Sequence, residues 1–126
     1  MNAVCEKEQV KDFLQEVKRA IADKTRTFDT WVLVPREKNK SSLSELGLTY
    51  PDIENTLLTL SVSEYCEGPT YDASAKGDCW IFGKIISDKE VYIKLKLASF
   101  GTKNPLYVVR IISFHIADDS LCYPYC

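Results

Sequence analysis

The sequence lacks several features on which protein chemistry commonly depends. Its 126 residues include one histidine, one methionine and five cysteines, and no C-x-x-C pair is present. The cysteine spacings match no zinc template, so no metal site is predicted. Motifs that cradle nucleotide phosphates are missing, as is the G-x-S-x-G turn of hydrolases. We therefore predict no cofactor.

Long apolar runs are also missing. No segment approaches the roughly 18 to 20 apolar residues that span a bilayer. Residues 1–24 carry charges throughout and contain no apolar stretch of signal-peptide length. The odd number of cysteines favours free thiols in a reducing compartment. We expect a cytoplasmic protein with no membrane partner.

The composition is that of a globular chain, because 45% of the residues are hydrophobic, 27% charged and 11% aromatic. The length predicts one domain over residues 1–126. The formal charge of -2 argues against a uniformly basic nucleic-acid binder. Residues 1–75 hold 9 Lys and Arg against 13 Asp and Glu, whereas residues 76–117 hold 7 against 3. Residues 76–117 are therefore basic, although the net charge of the whole chain is slightly negative.

The first half of the chain predicts helices and one strand. Apolar residues at helical spacing predict a first helix of about 15 to 18 residues, and they are Val10, Phe13, Leu14, Val17 and Ile21. A strand over residues 28–34, a polar loop over 36–40 and a short helix capped by Ser41 and Ser42 and ending at Gly47 should follow.

A further helix is expected to begin with a capping box formed by Thr49 and Asp52, with Pro51 in its first turn. It should end near Ser61, with an apolar face formed by Ile53, Leu57, Leu58 and Leu60. Residues 63–78 are predicted as a loop with a short extended piece.

The second half alternates as strands do, over residues 79–86, 91–97 and 106–116, with a loop over 101–105. Helices followed by closely connected strands indicate an α+β fold, with N-terminal helices packed on a small, mainly antiparallel sheet. In the strand over 91–97, Tyr92, Lys94 and Lys96 share the face opposite the apolar residues. This row is a candidate contact for RNA, or else an ordinary solvated sheet face.

His115, the only histidine, projects with Ser113 to the side opposite Phe114 in the last predicted strand. An imidazole that titrates near neutrality is a candidate general acid or base, although a lone histidine is more often structural. Arg110 has the parity of the apolar residues of this strand. It therefore requires a bulge, a sheet end or an ion pair.

The order of several short motifs resembles the motility quorum-sensing regulator (MqsR) toxins of bacterial type II toxin-antitoxin systems. These motifs lie within residues 46–117 and include Tyr65-Cys66-Glu67-Gly68-Pro69, Trp80-Ile81-Phe82-Gly83-Lys84, Glu90-Val91-Tyr92-Ile93-Lys94 and Ile112-Ser113-Phe114-His115. The chain looks like a diverged branch of that family.

The resemblance implies a RelE-like fold and an endoribonuclease that cuts single-stranded messenger RNA and is neutralised by a cognate antitoxin, often a helix-turn-helix protein. Tyr92 falls on the family's active-site tyrosine, His115 takes the place of a basic residue after Ser-Phe, and Lys94 matches the lysine of the V-Y-[IL]-K motif. Glu67 stands where well-known members have a lysine, and Ile81 where they have a glutamine.

RNA cleavage without a metal needs a base for the ribose 2′-hydroxyl, cations for the charge on phosphorus and an acid for the departing 5′-oxygen. We hypothesise Glu67 or His115 as the base and His115 or Tyr92 as the acid. Lys84, Lys94 or Lys96 would support the phosphate. The Glu67 and Ile81 replacements favour an alternative, in which the chain is a non-catalytic module that binds RNA or protein.

Overall fold

The computed structural model describes residues 4–26, 28–100 and 106–126, and the predicted loop over 101–105 lies outside them. Within these ranges the chain forms three α-helices, one turn of 3₁₀ helix and five strands. In chain order they are α1 (Lys7–Ala22), β1 (Trp31–Leu33), α2 (Glu37–Leu46), α3 (Tyr50–Leu58), the 3₁₀ turn (Val62–Glu64), β2 (Tyr65–Asp72), β3 (Gly77–Ile86), β4 (Lys89–Phe100) and β5 (Leu106–Ile116).

The five strands form one sheet in the order β1-β5-β4-β3-β2. Only the β1–β5 pair is parallel, and the other three pairs are antiparallel. The α+β class and the mainly antiparallel sheet are therefore confirmed. None of the helices in the described ranges has the length and apolar character that crossing a membrane requires.

The main core lies between α1 and one face of the sheet. The predicted apolar stripe of α1 is confirmed, since all five of its residues are buried. Phe13 stacks on Trp80 of β3 with ring centroids 4.3 Å apart. Val91, Ile93 and Leu95 of β4 are fully buried in the same core. Burial of this apolar surface fixes which face of the sheet is turned away from α1.

The prediction for residues 36–47 was wrong at its start. Residues 37–40 are helical rather than looped, and Ser41 and Ser42 lie inside α2 instead of capping it. The end at Gly47 is confirmed, because Gly47 has the left-handed conformation of a helix C-cap. The buried residues of α2 are Asn39 and Ser42. Both are polar, and the apolar Leu43 and Leu46 that pack against the core stand near the end of the helix, so the start of α2 has no apolar stripe from which it could be predicted.

Asn39 bonds α2 to the part of β5 that has no neighbouring strand on that side, because β1 pairs only with residues 109–111. Its amide nitrogen donates to the carbonyl oxygens of Val34 (2.9 Å) and Ile112 (3.2 Å). Its amide oxygen accepts from the N–H of Phe114 (2.9 Å). The fully buried side chain thus satisfies three backbone groups.

The predicted capping box of α3 is confirmed, with the Asp52 carboxylate accepting from the Thr49 N–H at 2.8 Å. The helix ends at Leu58, before the predicted boundary near Ser61. The predicted strand over 28–34 shortens to the three residues of β1. Residues 65–72, predicted as mainly loop, form β2, whose pairing with β3 contains two register shifts. These irregularities break the alternation by which strands are recognised in a sequence.

A β-bulge in β5 explains Arg110. Lys94 pairs with Ser113, but the next residue, Leu95, pairs with Ile111, so Ile112 is the extra residue. Val109 and Ile111 face the core before the bulge, and Phe114 faces it afterwards. Arg110 therefore pairs with Lys96 and lies outside the core.

We predict that Asn39→Ala lowers the free energy of unfolding by about 3 kcal/mol, because it leaves the buried Ile112 carbonyl and the buried Phe114 N–H without partners. Asn39→Asp should destabilise the protein similarly, since a carboxylate cannot donate to the two carbonyls. Chemical denaturation measures both effects. Lys40→Ala, an exposed change in the same helix, should alter the free energy by less than about 0.5 kcal/mol. Unchanged stability in both Asn39 variants would contradict this role.

Candidate functional site

Tyr92 and His115 lie side by side on the face of the sheet turned away from α1. They are cross-strand partners in β4 and β5. Their rings stack with centroids 5.2 Å apart and planes inclined by 19°. The bulge at Ile112 puts Ser113 and His115 on this face while Phe114 fills the core. The structure therefore brings the lone histidine next to Tyr92, the tyrosine of the predicted row.

A cavity of about 370 Å³ opens beside this stack. Its lining combines the predicted residues Tyr92, Lys94 and His115 with Ser113, with Lys38 of α2 and with residues 117–121. The volume is within the range of about 300 to 1,000 Å³ that is usual for sites of small ligands. Among the described residues, no three His, Cys, Asp or Glu side chains come together as metal ligands would.

The Tyr92 phenol is held in its protonated form. Burial raises its pKa above the ordinary value, the Lys94 ammonium opposes that change, and the Glu67 carboxylate adds to it. A phenol with a raised pKa carries its proton at neutral pH and can donate it. Tyr92 is therefore protonated at neutral pH, and its raised pKa makes it a weaker proton donor than a free phenol.

Lys94 is half-buried and paired, so the prediction of an exposed cationic row is wrong. Its ammonium donates to the Asp72 carboxylate at 2.9 Å, and each side chain is 19% exposed. Burial is the largest single effect and lowers the pKa of Lys94, but the bond to Asp72 and the nearby charges of Tyr92 and Asp72 together raise the pKa above its ordinary value. Bonds from Lys94 and from Ser74 hold the pKa of Asp72 well below its usual value. The Lys94 ammonium in the cavity wall is therefore positively charged and held in place by its ion pair with Asp72.

Lys96 has a structural role that its position in the sequence does not reveal. Its ammonium donates to the carbonyl oxygens of Ala75 (2.9 Å) and Lys76 (3.1 Å) in the β2–β3 turn. Buried Ala75 packs with Cys79 and Ile112 on the same side of the sheet. Lys96 does not line the cavity, because these bonds direct it toward the turn.

Lys84 is not brought to the other candidates. It pairs with Val91, a core residue, whereas its neighbour Gly83 pairs with Tyr92. Its side chain therefore lies on the α1 face, where it forms an ion pair with Glu64 at 3.1 Å. The structure separates Lys84 from the Tyr92–His115 stack by the thickness of the sheet.

Glu67 lies on the same face as Tyr92, since it pairs with Ile81 and Ile81 pairs with Lys94. Its carboxylate is close enough to raise the pKa of Tyr92. It does not line the cavity, however. The structure therefore places Glu67 beside the stack rather than within the cavity.

Lys38 and Asp118 are cavity residues that the sequence analysis missed. The Lys38 ammonium donates to the Asp118 carboxylate, and this bond lowers the pKa of Asp118. Both side chains are more than half exposed. Lys38 belongs to the segment predicted as a loop, so no pattern connected it with β5. The residues at the start of α2 have no apolar spacing that predicts a helix there, so the sequence could not place Lys38 beside the cavity.

The C-terminal segment closes one side of the site. The Leu121 N–H and the Tyr123 hydroxyl donate to the two oxygens of Glu90, at 3.0 and 2.7 Å. A Cβ on Gly83 would come within 2.6 Å of the Leu121 side chain, so any larger residue there would require the side chains of the segment to shift. Tyr125 then reaches the core and stacks on Tyr65 with centroids 5.9 Å apart. The C-terminal segment therefore folds back on the core.

The cysteines offer no activated nucleophile. All five are free thiols. Burial, assisted by Glu90 and Glu67, raises the pKa of Cys66 to about 12, and burial also raises the pKa of Cys79. Both thiols stay protonated at neutral pH, and the protonated thiol is a poor nucleophile.

No family model, no curated protein and no solved structure matches the chain. A function is therefore inferred from the chemistry of the cavity together with the resemblance of the motifs.

We predict that Asp72→Asn lowers the free energy of unfolding by about 2 kcal/mol at neutral pH, because Lys94 loses its half-buried partner. The pKa of Asp72 is depressed, so the contribution of this pair is present above about pH 4 and is lost as the pH falls further. Denaturation at neutral and acidic pH should therefore show a smaller acid dependence in the variant.

Asp118→Asn provides the matched control, because it removes a carboxylate from an exposed ion pair. Its effect on stability should be much smaller than that of Asp72→Asn. An acid dependence in Asp72→Asn equal to that of the unaltered protein would contradict the prediction.

Proposed function

We propose that the chain is a metal-independent endoribonuclease of the MqsR-like toxin type, with a RelE-like fold and with the cavity beside Tyr92 as its active site. The observation that carries the proposal is the stack of Tyr92 on His115 next to the Lys94 ammonium. These are the three residues that the family resemblance assigns to the site. Their types supply a proton donor, a proton acceptor and a cation.

The reaction is cleavage by the neighbouring ribose hydroxyl. His115 accepts the proton of the 2′-hydroxyl while the 2′-oxygen forms a bond to phosphorus. The bond from phosphorus to the 5′-oxygen breaks, and Tyr92 gives its proton to that oxygen. The products are a 2′,3′-cyclic phosphate and a 5′-hydroxyl. Glu67 is the less favoured base, because it lies outside the cavity lining.

Lys94 and Lys38 are the two cations available to the phosphate in the cavity. Lys94 keeps its bond to Asp72 and offers its remaining donors to a non-bridging oxygen. The Lys38–Asp118 pair is exposed and can therefore exchange its carboxylate for a phosphate. Positive charge held close to the phosphorus stabilises the additional negative charge of the transition state.

Single-stranded RNA is the substrate class that fits the cavity. Unstacked bases of single strands are recognised by stacking on aromatic rings, and the Tyr92–His115 pair supplies such rings. Messenger RNA cleavage would arrest growth until an antitoxin protein binds the toxin. Both the growth arrest and the antitoxin belong to the proposal.

A second candidate is a non-catalytic module that binds RNA or protein. The observation that favours it is that both lysines of the cavity are already paired with carboxylates. Such pairing weakens the attraction for phosphate that catalysis requires. This candidate predicts binding without strand cleavage.

We predict that the purified protein cleaves a single-stranded RNA in the presence of EDTA, and that Tyr92→Phe and His115→Ala each slow cleavage by about a hundredfold or more. Each variant removes a proton donor or acceptor while the sheet stays intact. Gel electrophoresis of an end-labelled RNA gives the rate, and the 2′,3′-cyclic phosphate ends identify the chemistry.

Lys89→Ala is the control, because Lys89 is an exposed cation of the same strand outside the cavity. It should cleave at the rate of the unaltered protein. Circular dichroism must show that all variants fold. Retained RNA binding with no cleavage in the unaltered protein would instead support the non-catalytic module, and full cleavage by both site variants would rule out this active site.

A further inference from the structure

The outer edge of the sheet at β1 has peptide groups that no described residue binds. The Thr30 carbonyl accepts from the Val109 N–H, and the Val34 N–H donates to the Ile111 carbonyl of β5. The peptide groups of the even-numbered residues therefore point toward β5. Because peptide groups alternate in direction along a strand, those of Trp31 and Leu33 point away from it. In the described ranges β1 has β5 as its one neighbouring strand. An unpaired edge of this kind accepts a further strand.

A groove of about 340 Å³ follows this edge. It is lined by five consecutive residues of the chain, 29–33, and on its other side by Tyr50 and Glu54 of α3. Tyr50 is 64% exposed, and its ring meets that of Trp31 edge-on at 5.4 Å. The Trp31 indole donates to Glu54 at 3.0 Å. The groove therefore runs along a strand and has a rigid aromatic wall.

The charge of the groove specifies what it can hold. Asp29 and Glu54 are its acidic residues, and no lysine or arginine from the described part of the chain lines it. The exposed Lys24 ammonium lies 3.5 Å from Glu54, so this carboxylate already accepts a cation from the solvent side. Aromatic faces beside carboxylates favour the guanidinium of arginine, which stacks and pairs at once.

We propose that the β1 edge binds an extended, arginine-bearing segment of a partner protein, which adds a strand to the sheet. The backbone of the segment pairs with Trp31 and Leu33, and an arginine side chain enters the groove between Tyr50 and Glu54. Main-chain bonds supply the affinity and the acidic, aromatic groove supplies the selectivity. The groove shares no lining residue with the cavity beside Tyr92.

The test uses a short fluorescein-labelled peptide, Thr-Arg-Val-Arg-Val-Arg-Thr, whose binding to the purified chain is followed by fluorescence anisotropy. Glu54→Gln should weaken binding about tenfold, because a charged bond is lost. The glutamine oxygen can still accept from the Trp31 indole, so the fold is kept. Tyr50→Ala, which removes an exposed ring, should weaken binding as well.

Two controls isolate the edge and the charge. A peptide with an N-methyl group on every residue keeps its arginines but cannot donate along either edge, and it should bind about tenfold more weakly. Glu45→Gln removes an exposed carboxylate from α2 outside the groove, and it should leave the affinity unchanged. Equal binding of the methylated peptide, or equal binding by Glu54→Gln, would overturn the proposal.

Displacement of the peptide by a single-stranded oligouridylate, with an RNA affinity that also falls in Glu54→Gln, would overturn it in favour of a nucleic-acid site. Tyr92→Phe should bind the peptide normally. Loss of RNA cleavage and loss of peptide binding are therefore separate results, and either proposal can fail alone.

Discussion

The side chain of Asn39 takes the place of a missing strand beside β5. Its three bonds hold the backbone around Ile112 and Phe114, where β1 no longer reaches. The same bonds fix α2 against the sheet and place Lys38, the preceding residue, at the cavity rim. Ser42 continues the contact by accepting from the N–H of Ile116 at 3.0 Å. The polar face of α2 therefore positions Lys38 on one side of the cavity and the end of β5, which carries His115, on the other.

Charge in the cavity is balanced within the chain itself. Each cation has a carboxylate partner, with Lys94 on Asp72 and Lys38 on Asp118. The first pair is half-buried and stiff, whereas the second is exposed and screened by salt. The stiff Lys94 would therefore orient a bound anion, and the exposed Lys38 would exchange its bond to Asp118 for a bond to that anion.

Regular elements with one apolar face were predictable, and irregular ones were not. The helix α1 and the strand β4 follow simple spacings, so their positions and faces agree with the prediction, and the bulge that the parity of Arg110 suggested lies at Ile112 of β5. The helix α2 was missed at its start because its buried face consists of Asn39 and Ser42, and Lys38 was missed with it. Lys84 shares the parity of Phe82, which faces the core, so its separation from the cavity could have been read from alternation alone. The ion pair of Lys84 with Glu64 could not be predicted from the sequence, because the fold brings these two residues together.

The bulge at Ile112 lets one strand serve two purposes. Upstream of it the odd-numbered residues fill the core, and downstream the even-numbered ones do. If Ile112 instead paired regularly, with no bulge, a strand that kept Val109 and Ile111 inside would also turn His115 inside. The extra residue changes the parity of the strand, so that the packing of residues 106–111 and the direction of the imidazole are set separately. Deletion of Ile112 would join the two halves in register with β4 and keep their faces, whereas a change that made Ile112 pair regularly would force the chain to give up either its core or its cavity.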